Sequence, residues 1–311
     1  MDGLDKDLEM IKNFTHISYS QKIAKAYTEL LDTNPDEIIK WWRREWDWLL
    51  GWIYWGKIYL VWADTGIGKS TFVNQVARNV AEQWWKVIKY SLEDRMEDLG
   101  KEELYYECNR LRYAQGKSGY EWIKFVNNEY YYNEETKKEY GEFVLKACDI
   151  LSKNSITELD KSKQVNIEEL CYLMEEQCDQ WAKMFFIDHL HYFEFQWTKE
   201  RLDIQIQNIM HRINEIARRR NVAVMIIAHY KYNKIKTWEP SYDMFKDGSA
   251  IKQVANIIIQ IEREEETSCF HITKMRWPIK PFVLETTFNL KTYEYAFKKY
   301  DPKINSGKGT M

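Results

Sequence analysis

The sequence lacks the features that mark secreted, zinc-binding or membrane-spanning proteins. Its five cysteines are scattered without CxxC spacing, which indicates reduced thiols rather than a disulfide framework or a zinc site. No apolar run approaches the ~20 residues that a membrane span needs, and the acidic start MDGLDKDLEM has no apolar signal segment. We therefore expect a cytoplasmic protein that does not contact membranes.

Excess charge of one sign is also missing, since the net charge is −3 over 311 residues. A polycation that binds nucleic acid by bulk charge is excluded, so any such contact must come from a local basic patch. The length suits one large domain with an appendage, or two small domains.

Glycine is scarce and tryptophan abundant, with 12 glycines against 14 tryptophans. Glycine ordinarily makes up about 7% of residues. Both departures from ordinary composition call for an explanation.

The hydrophobic pattern divides the chain into three parts. Residues 1–44 predict a helical segment or linker, residues 45–298 a single α/β domain, and residues 299–311 a flexible tail. In the middle part, short apolar runs alternate with helical stretches, which predicts a mainly parallel twisted sheet with helices on both faces. The predicted strands start near residues 58, 86, 182 and 221, the stretch 252–264 ends in another strand, and closing strands follow it. Ligands of such sheets bind at the carboxyl ends of the strands.

The stretch VWADTGIGKST follows the first of these strands and opens a helix. A tight glycine loop at a helix N-terminus supplies convergent N–H donors and a favourable dipole for phosphates. Lys69 is expected to reach the β- and γ-phosphates, and Ser70 to bind Mg²⁺. The stretch thus predicts an ATP-binding loop composed of Ala63, Asp64, Thr65, Gly66, Ile67, Gly68, Lys69, Ser70 and Thr71.

Polar residues end three other predicted strands. Asp188 ends the buried run FFID, where a carboxylate suits the second Mg²⁺ contact. Glu93 ends YSLE, where it could activate the attacking water, although a solvated surface glutamate has the same pattern. His229 ends IIAH, where it could sense the γ-phosphate or simply be a satisfied strand-end histidine.

Six motifs in order resemble one family. ADTGIGKST, YSLED, FFIDHLHYF, VAVMIIAHYK, DGSAIKQVANIIIQIERE and ITKMRW are similar to the RecA-like ATPase domain of DnaB-type hexameric replicative helicases, a group with phage relatives. The resemblance covers roughly residues 45–298. It implies a RecA-like P-loop NTPase fold and ATP-driven translocation on single-stranded DNA. It also implies Glu93 as catalytic base, Asp188 as the Mg²⁺ carboxylate and His229 as the sensor.

The resemblance further implies contacts between subunits and with DNA. Lys274 and Arg276 match a pair that reaches a neighbour's ATP in a hexameric ring. The loops facing the channel offer five basic residues for DNA phosphates: Lys199, Arg201, Lys234, Lys236 and Lys246. A primase or a loader is a further candidate partner. The family usually has a helical collar ahead of this domain, and we expect none ahead of residue 45.

Two other functions stay open at this point. One is a RecA-like recombination ATPase that forms filaments on single-stranded DNA. The other is a regulatory or loader ATPase that acts on a protein and is indifferent to DNA. Duplex unwinding separates the helicase from both.

Several tryptophans stand where the family has glycine. These are Trp52, Trp62, Trp85 and Trp277. We hypothesise that some of them are encoded by TGA and read as glycine in the native host. The alternative is a protein that is truly rich in tryptophan.

Overall fold

The computed structural model describes residues 22–24, 39–41, 44–64, 66–91, 95–158, 166–188, 202–229, 249–264, 267–275, 282–289 and 294–301. The chain divides into two compact units, residues 1–38 and residues 39–311. In the first unit the described residues 22–24 are helical. The second unit starts at residue 39, whereas the predicted domain boundary is at residue 45.

In the described residues, nine strands form one sheet in the order β3-β2-β4-β5-β1-β6-β7-β8-β9. The strands from β3 to β6 in this order are parallel, and β7, β8 and β9 are antiparallel additions. This mainly parallel sheet confirms the predicted fold class. The strands are β1 Ile58–Ala63, β2 Lys86–Ser91, β3 Ile156–Glu158, β4 Ala182–Asp188, β5 Ala223–His229, β6 Ile257–Glu264, β7 Thr267–Met275, β8 Phe282–Asn289 and β9 Glu294–Asp301.

Helices precede or connect the parallel strands, as right-handed crossovers require. They are α1 Arg44–Leu50, α2 Lys69–Glu82, α3 Met96–Ala114, α4 Trp122–Val126, α5 Glu129–Tyr132, α6 Lys137–Lys153, α7 Ile167–Asp179, α8 Leu202–Arg220 and α9 Ser249–Val254.

Both faces of the sheet are buried, because side chains alternate along each strand. Along β1, Tyr59 and Val61 join a core with α2 on one face, whereas Leu60 and Trp62 join a core with α7 and α8 on the other. A strand buried on both faces appears in the sequence as a continuous apolar run. This explains why the run IYLVWA was recognisable as a strand.

Residues 39–41 are not helical, although they fall in the stretch predicted to be helical. Ile39 pairs with Ile53, and its carbonyl accepts the Ile53 N–H at 2.8 Å. The Trp41 indole donates to the Gly51 carbonyl at 3.0 Å. Both side chains are buried in the core that covers α2. Their burial overrides the local helical pattern, so the second unit begins with these residues.

A helical insertion, α3 to α6, lies between β2 and β3. Its own core is aromatic and contains Tyr105, Tyr120, Phe125, Tyr140 and Phe143. The helical character of this region agrees with the sequence pattern. The short edge strand β3 was not predicted, because its three residues lie in a polar stretch. Among the described helices, none is both long and apolar enough to cross a bilayer.

Candidate nucleotide site

The glycine loop joins the end of β1 to the start of α2. Gly66 and Gly68 have φ values of 78° and 101°, in the left-handed region that glycine adopts without steric cost. Gly68 is the N-cap of α2, and its carbonyl accepts the Phe72 N–H at 3.0 Å. The predicted strand–loop–helix arrangement is therefore present. It aims the N-terminus of a 14-residue helix at the loop, which favours an anion.

Lys69 is held inside this loop. Its side-chain ammonium group donates to the carbonyls of Ala63 at 2.9 Å and Asp64 at 2.8 Å. The residue is only 5% exposed. Since a buried ammonium needs partners, the loop carbonyls hold this positive charge at the end of β1.

Ser70 and Asp188 meet although 118 residues separate them in the sequence. The Ser70 hydroxyl donates to Asp188 Oδ2 at 3.1 Å. Ser70 lies in the first turn of α2, and Asp188 is the last residue of β4. A hydroxyl and a carboxylate are hard oxygen ligands of the kind that Mg²⁺ binds. The structure therefore brings together the two residues that the sequence assigned to the metal.

No group of three or more His, Cys, Asp or Glu that could hold a metal occurs within the described ranges.

The register of the sheet aligns the other strand ends. Ala63 pairs with His229, and Ser91 pairs with Asp188. The strands β2, β4, β5 and β1 lie side by side, about 4.8 Å apart. His229, the last residue of β5, therefore has its backbone between that of Asp188 on β4 and that of the loop after β1. Glu93, two residues beyond Ser91, lies outside the described residues.

The rest of the loop also lies at this end of β1. Ile67 packs against the core that contains α2, and its N–H donates to the Asp64 carbonyl at 3.4 Å. Thr71 lies in the first turn of α2. Thr65 lies outside the described residues.

Tyr295 contacts both the loop and its helix, the helix through Gln75, and neither residue was predicted from the sequence. The buried Tyr295 hydroxyl donates to the Gly68 carbonyl at 3.2 Å. The Tyr295 N–H donates to Gln75 Oε1 at 3.1 Å. No local pattern could have shown these contacts, because more than 200 residues separate the partners.

Lys274 contacts α9 in the same chain. Its ammonium group donates to the carbonyl of Lys252 and, at 3.3 Å, to that of Gln253. Lys274 pairs with Ile258, which in turn pairs with Leu60, three residues before β1 ends. Because β7 is antiparallel, the chain after Lys274 moves away from the loop end of β1.

Other predicted site residues lie outside the described residues. They are Arg276 of the pair with Lys274 and the five basic residues assigned to DNA, namely Lys199, Arg201, Lys234, Lys236 and Lys246.

Comparison with known proteins gives a family match. The model of the DnaB-like helicase C terminal domain matches residues 45–280. One similar solved structure, described as an ATPase domain, has a TM-score of 0.73 at 16% identity, and the match covers 92% of this chain and 100% of that one. No curated protein matches significantly.

A second similar structure is "The Structure Of A DnaB-Like Replicative Helicase And Its Interactions With Primase". Its TM-score is 0.75 at 15% identity, and the match covers 94% of this chain and 70% of that one. At such identities the likeness concerns the fold alone.

Proposed function

The chain belongs to the family of DnaB-like helicase C terminal domains, and from this premise we propose how its residues bind and hydrolyse ATP. The protein is an ATP-hydrolysing DNA helicase of the replicative, DnaB-like type. The loop from Ala63 to Thr71 binds the ATP phosphates through backbone N–H groups at the N-terminus of α2. Lys69 neutralises charge on the β- and γ-phosphates.

The contact between Ser70 and Asp188 is the observation that carries this proposal. It unites the loop with the end of β4 at 3.1 Å. In our proposal the Ser70 hydroxyl binds Mg²⁺ directly, and the Asp188 carboxylate orients that hydroxyl or the metal's water. When bound, Mg²⁺ neutralises charge that develops on the transferring phosphoryl group. The hydroxyl and carboxylate oxygens fit this ion by their chemistry.

Two further strand ends complete the proposed site. Glu93 accepts a proton from the attacking water, and His229 senses the γ-phosphate. The described strand ends support this proposal, because Ser91 pairs with Asp188 and Ala63 pairs with His229. In each pair the two strands are adjacent, so their backbones lie about 5 Å apart.

We assign Lys274 and Arg276 to a neighbouring subunit's ATP. Lys274 lies two strands across the sheet from β1 and three residues short of its loop end. Two strand spacings across the sheet and three residues along it separate the Lys274 backbone from that of Ala63 by roughly 14 Å. After Lys274 the chain runs away from the loop end of β1. The geometry therefore disfavours a role at the chain's own loop. An arginine supplied in trans stabilises charge at the γ-phosphate and couples hydrolysis to a ring of six subunits.

Single-stranded DNA is the proposed track within that ring. Lys199, Arg201, Lys234, Lys236 and Lys246 would contact its phosphates, with strong salt dependence. The described part of the chain does not include them, so the family resemblance alone supports this assignment. A primase is a candidate partner, because one similar structure concerns a helicase and its interactions with primase.

Mixing two inactive variants tests the arrangement in trans. Lys69→Ala lacks the phosphate lysine but retains the intersubunit pair, whereas Arg276→Ala has the opposite defect. Each alone should lose ATP hydrolysis stimulated by single-stranded DNA, the arginine contributing about 10³-fold or more.

A mixture should recover part of the rate, since some interfaces then combine an intact loop with an intact arginine. If a mixture hydrolyses ATP no faster than the two variants do separately, summed at the same concentrations, the assignment in trans is wrong. If wild-type hydrolysis ignores DNA, the proposed use of DNA fails as well.

A further inference from the structure

Tyr295 contacts the phosphate loop although 227 residues separate it from Gly68 in the sequence. It lies on β9, is fully buried, and packs its ring edge-on against Phe270 at 5.0 Å between centroids. Its N–H is bonded to Gln75 of α2. Both the backbone and the ring of Tyr295 are therefore held, and its hydroxyl has little freedom to leave the Gly68 carbonyl. Burial raises the pKa of Tyr295, so the hydroxyl stays protonated and donates.

The Gly68 carbonyl is one end of a planar peptide unit. In a trans peptide the N–H points opposite to the C=O, so the Lys69 N–H faces away from Tyr295. With Tyr295 and the Phe72 N–H both donating to the carbonyl, the orientation of this N–H is fixed. It is one of the N–H groups at the N-terminus of α2.

We propose that Tyr295 is a positioning residue for nucleotide binding, which it serves by orienting the Gly68–Lys69 peptide. This inference rests on the proposed binding of ATP at the loop. The close approach of the two groups makes the role specific to this loop. A Cβ added at Gly68 would lie 2.5 Å from the Tyr295 hydroxyl and 3.8 Å from the next ring atom.

Removing the hydroxyl alone tests the role, with a matched control in the same core. Tyr295→Phe keeps the ring and deletes the hydroxyl. Tyr59→Phe deletes another fully buried hydroxyl, one that accepts the Tyr54 N–H at 2.7 Å, away from the loop. Losing one oriented hydrogen bond should weaken binding of a fluorescent ATP analogue by roughly threefold to tenfold in Tyr295→Phe. Tyr59→Phe should bind like the wild type.

The double variant with Gly68→Ala gives a second readout. Gly68→Ala alone should bind nucleotide weakly, because its Cβ would meet the Tyr295 hydroxyl. Adding Tyr295→Phe removes that hydroxyl and should restore part of the affinity. Equal affinity of Tyr295→Phe and wild type, or strictly additive effects, overturns the proposal while ATP binding by the wild type stands. If the wild type binds no nucleotide, both this inference and the proposed function fail.

An independent observation concerns two tryptophans that follow helices. Trp84 after α2 and Trp181 after α7 have φ values of 69° and 66°. Both N–H groups bond three residues back, to the carbonyls of Ala81 at 2.9 Å and Cys178 at 3.0 Å. This is the left-handed helix ending that glycine normally provides.

Two other helices end in the same way with suitable residues. Gly116 after α3 has φ 71°, and Asn221 after α8 has φ 53°. Glycine and asparagine are the residues that adopt this conformation most readily, whereas it is an outlier for a bulky side chain. Packing does not compensate, since Trp84 and Trp181 are 88% and 81% exposed.

We infer that codons 84 and 181 are TGA and are translated as glycine in the native cell, with the printed tryptophans arising from another reading of that codon. Two such exchanges would change the counts from 14 tryptophans and 12 glycines to 12 and 14, so they explain part of the unusual composition. Among the described residues, Trp52, Trp62 and Trp85 have no positive φ, so their backbone conformation does not indicate glycine. Trp277 lies outside the described residues.

Trp46 provides the contrasting case. It is fully buried, and its ring meets that of Phe270 edge-on at 5.0 Å. A glycine there would leave a cavity in the core. We therefore expect the ordinary tryptophan codon TGG at position 46.

The gene and the native protein test this inference together. We expect TGA at codons 84 and 181, TGG at codon 46, and glycine at residues 84 and 181 in peptide masses of the protein from its own cells. TGG at codon 84 or 181 overturns the inference. Tryptophan in either native peptide overturns it too.

Discussion

The left-handed turn at residue 84 allows a sharp stability experiment on the chain as printed. Trp84→Gly and Trp84→Ala both remove an indole that is 88% exposed. The two variants therefore differ mainly in the cost of adopting the positive φ of residue 84. A left-handed conformation costs an L-residue about 1–2 kcal/mol. Relative to alanine, glycine lowers the free energy of unfolding by about 0.4–1 kcal/mol, because it gives the unfolded chain more conformational freedom. The glycine variant should therefore be more stable than the alanine variant by about 1 kcal/mol.

Trp52 is the matched control, because it is 40% exposed and its φ is not positive. There the order should reverse, with alanine more stable than glycine by about 0.4–1 kcal/mol. Urea unfolding followed by circular dichroism measures both pairs through their midpoints at a common slope. The reasoning is refuted if alanine equals or exceeds glycine at position 84.

Three other substitutions have defined outcomes. Ser70→Ala should nearly abolish ATP hydrolysis while costing only about 1 kcal/mol of stability, as steady-state kinetics and thermal unfolding will measure. Lys89→Met should cost about 3–5 kcal/mol in denaturant unfolding, because Lys89 pairs with two glutamates and its side chain is 4% exposed; a loss below 1 kcal/mol would contradict this. Burial raises the pKa of Asp47 to about 6, so the protonated form stabilises the fold below about pH 4, and this contribution is lost as pH rises through 6. Asp47→Asn, which does not ionise, should retain stability across that interval when unfolding is followed against pH.

Local signals made the phosphate loop and its strands predictable. The loop, its strand and its helix are contiguous in sequence, so composition and spacing describe all three. The apolar runs ending at Asp188 and His229 were recognisable because strands buried on both faces leave uninterrupted hydrophobic sequence. The order of the six motifs led to the resemblance to DnaB-type helicases, and the family match confirms that resemblance.

Long-range packing produced what the sequence did not show. The edge strand β3 has only three residues, two of them polar, and gains its strand conformation by pairing with β2. Ile39 and Trp41 are not helical, because Ile39 pairs with Ile53 and both side chains are buried in the core. Tyr295 contacts Gly68 across 227 residues. Such contacts depend on the assembled sheet and have no local periodicity.

The central claim is that ATP hydrolysis at the loop containing Lys69 drives unwinding by this helicase. Unwinding of a forked DNA duplex tests it most directly, with Lys69→Ala compared against Lys101→Ala, whose side chain is 51% exposed outside the site. We predict strand separation that needs ATP and Mg²⁺, is lost in Lys69→Ala and is unchanged in Lys101→Ala. Unwinding that survives Lys69→Ala would contradict the account.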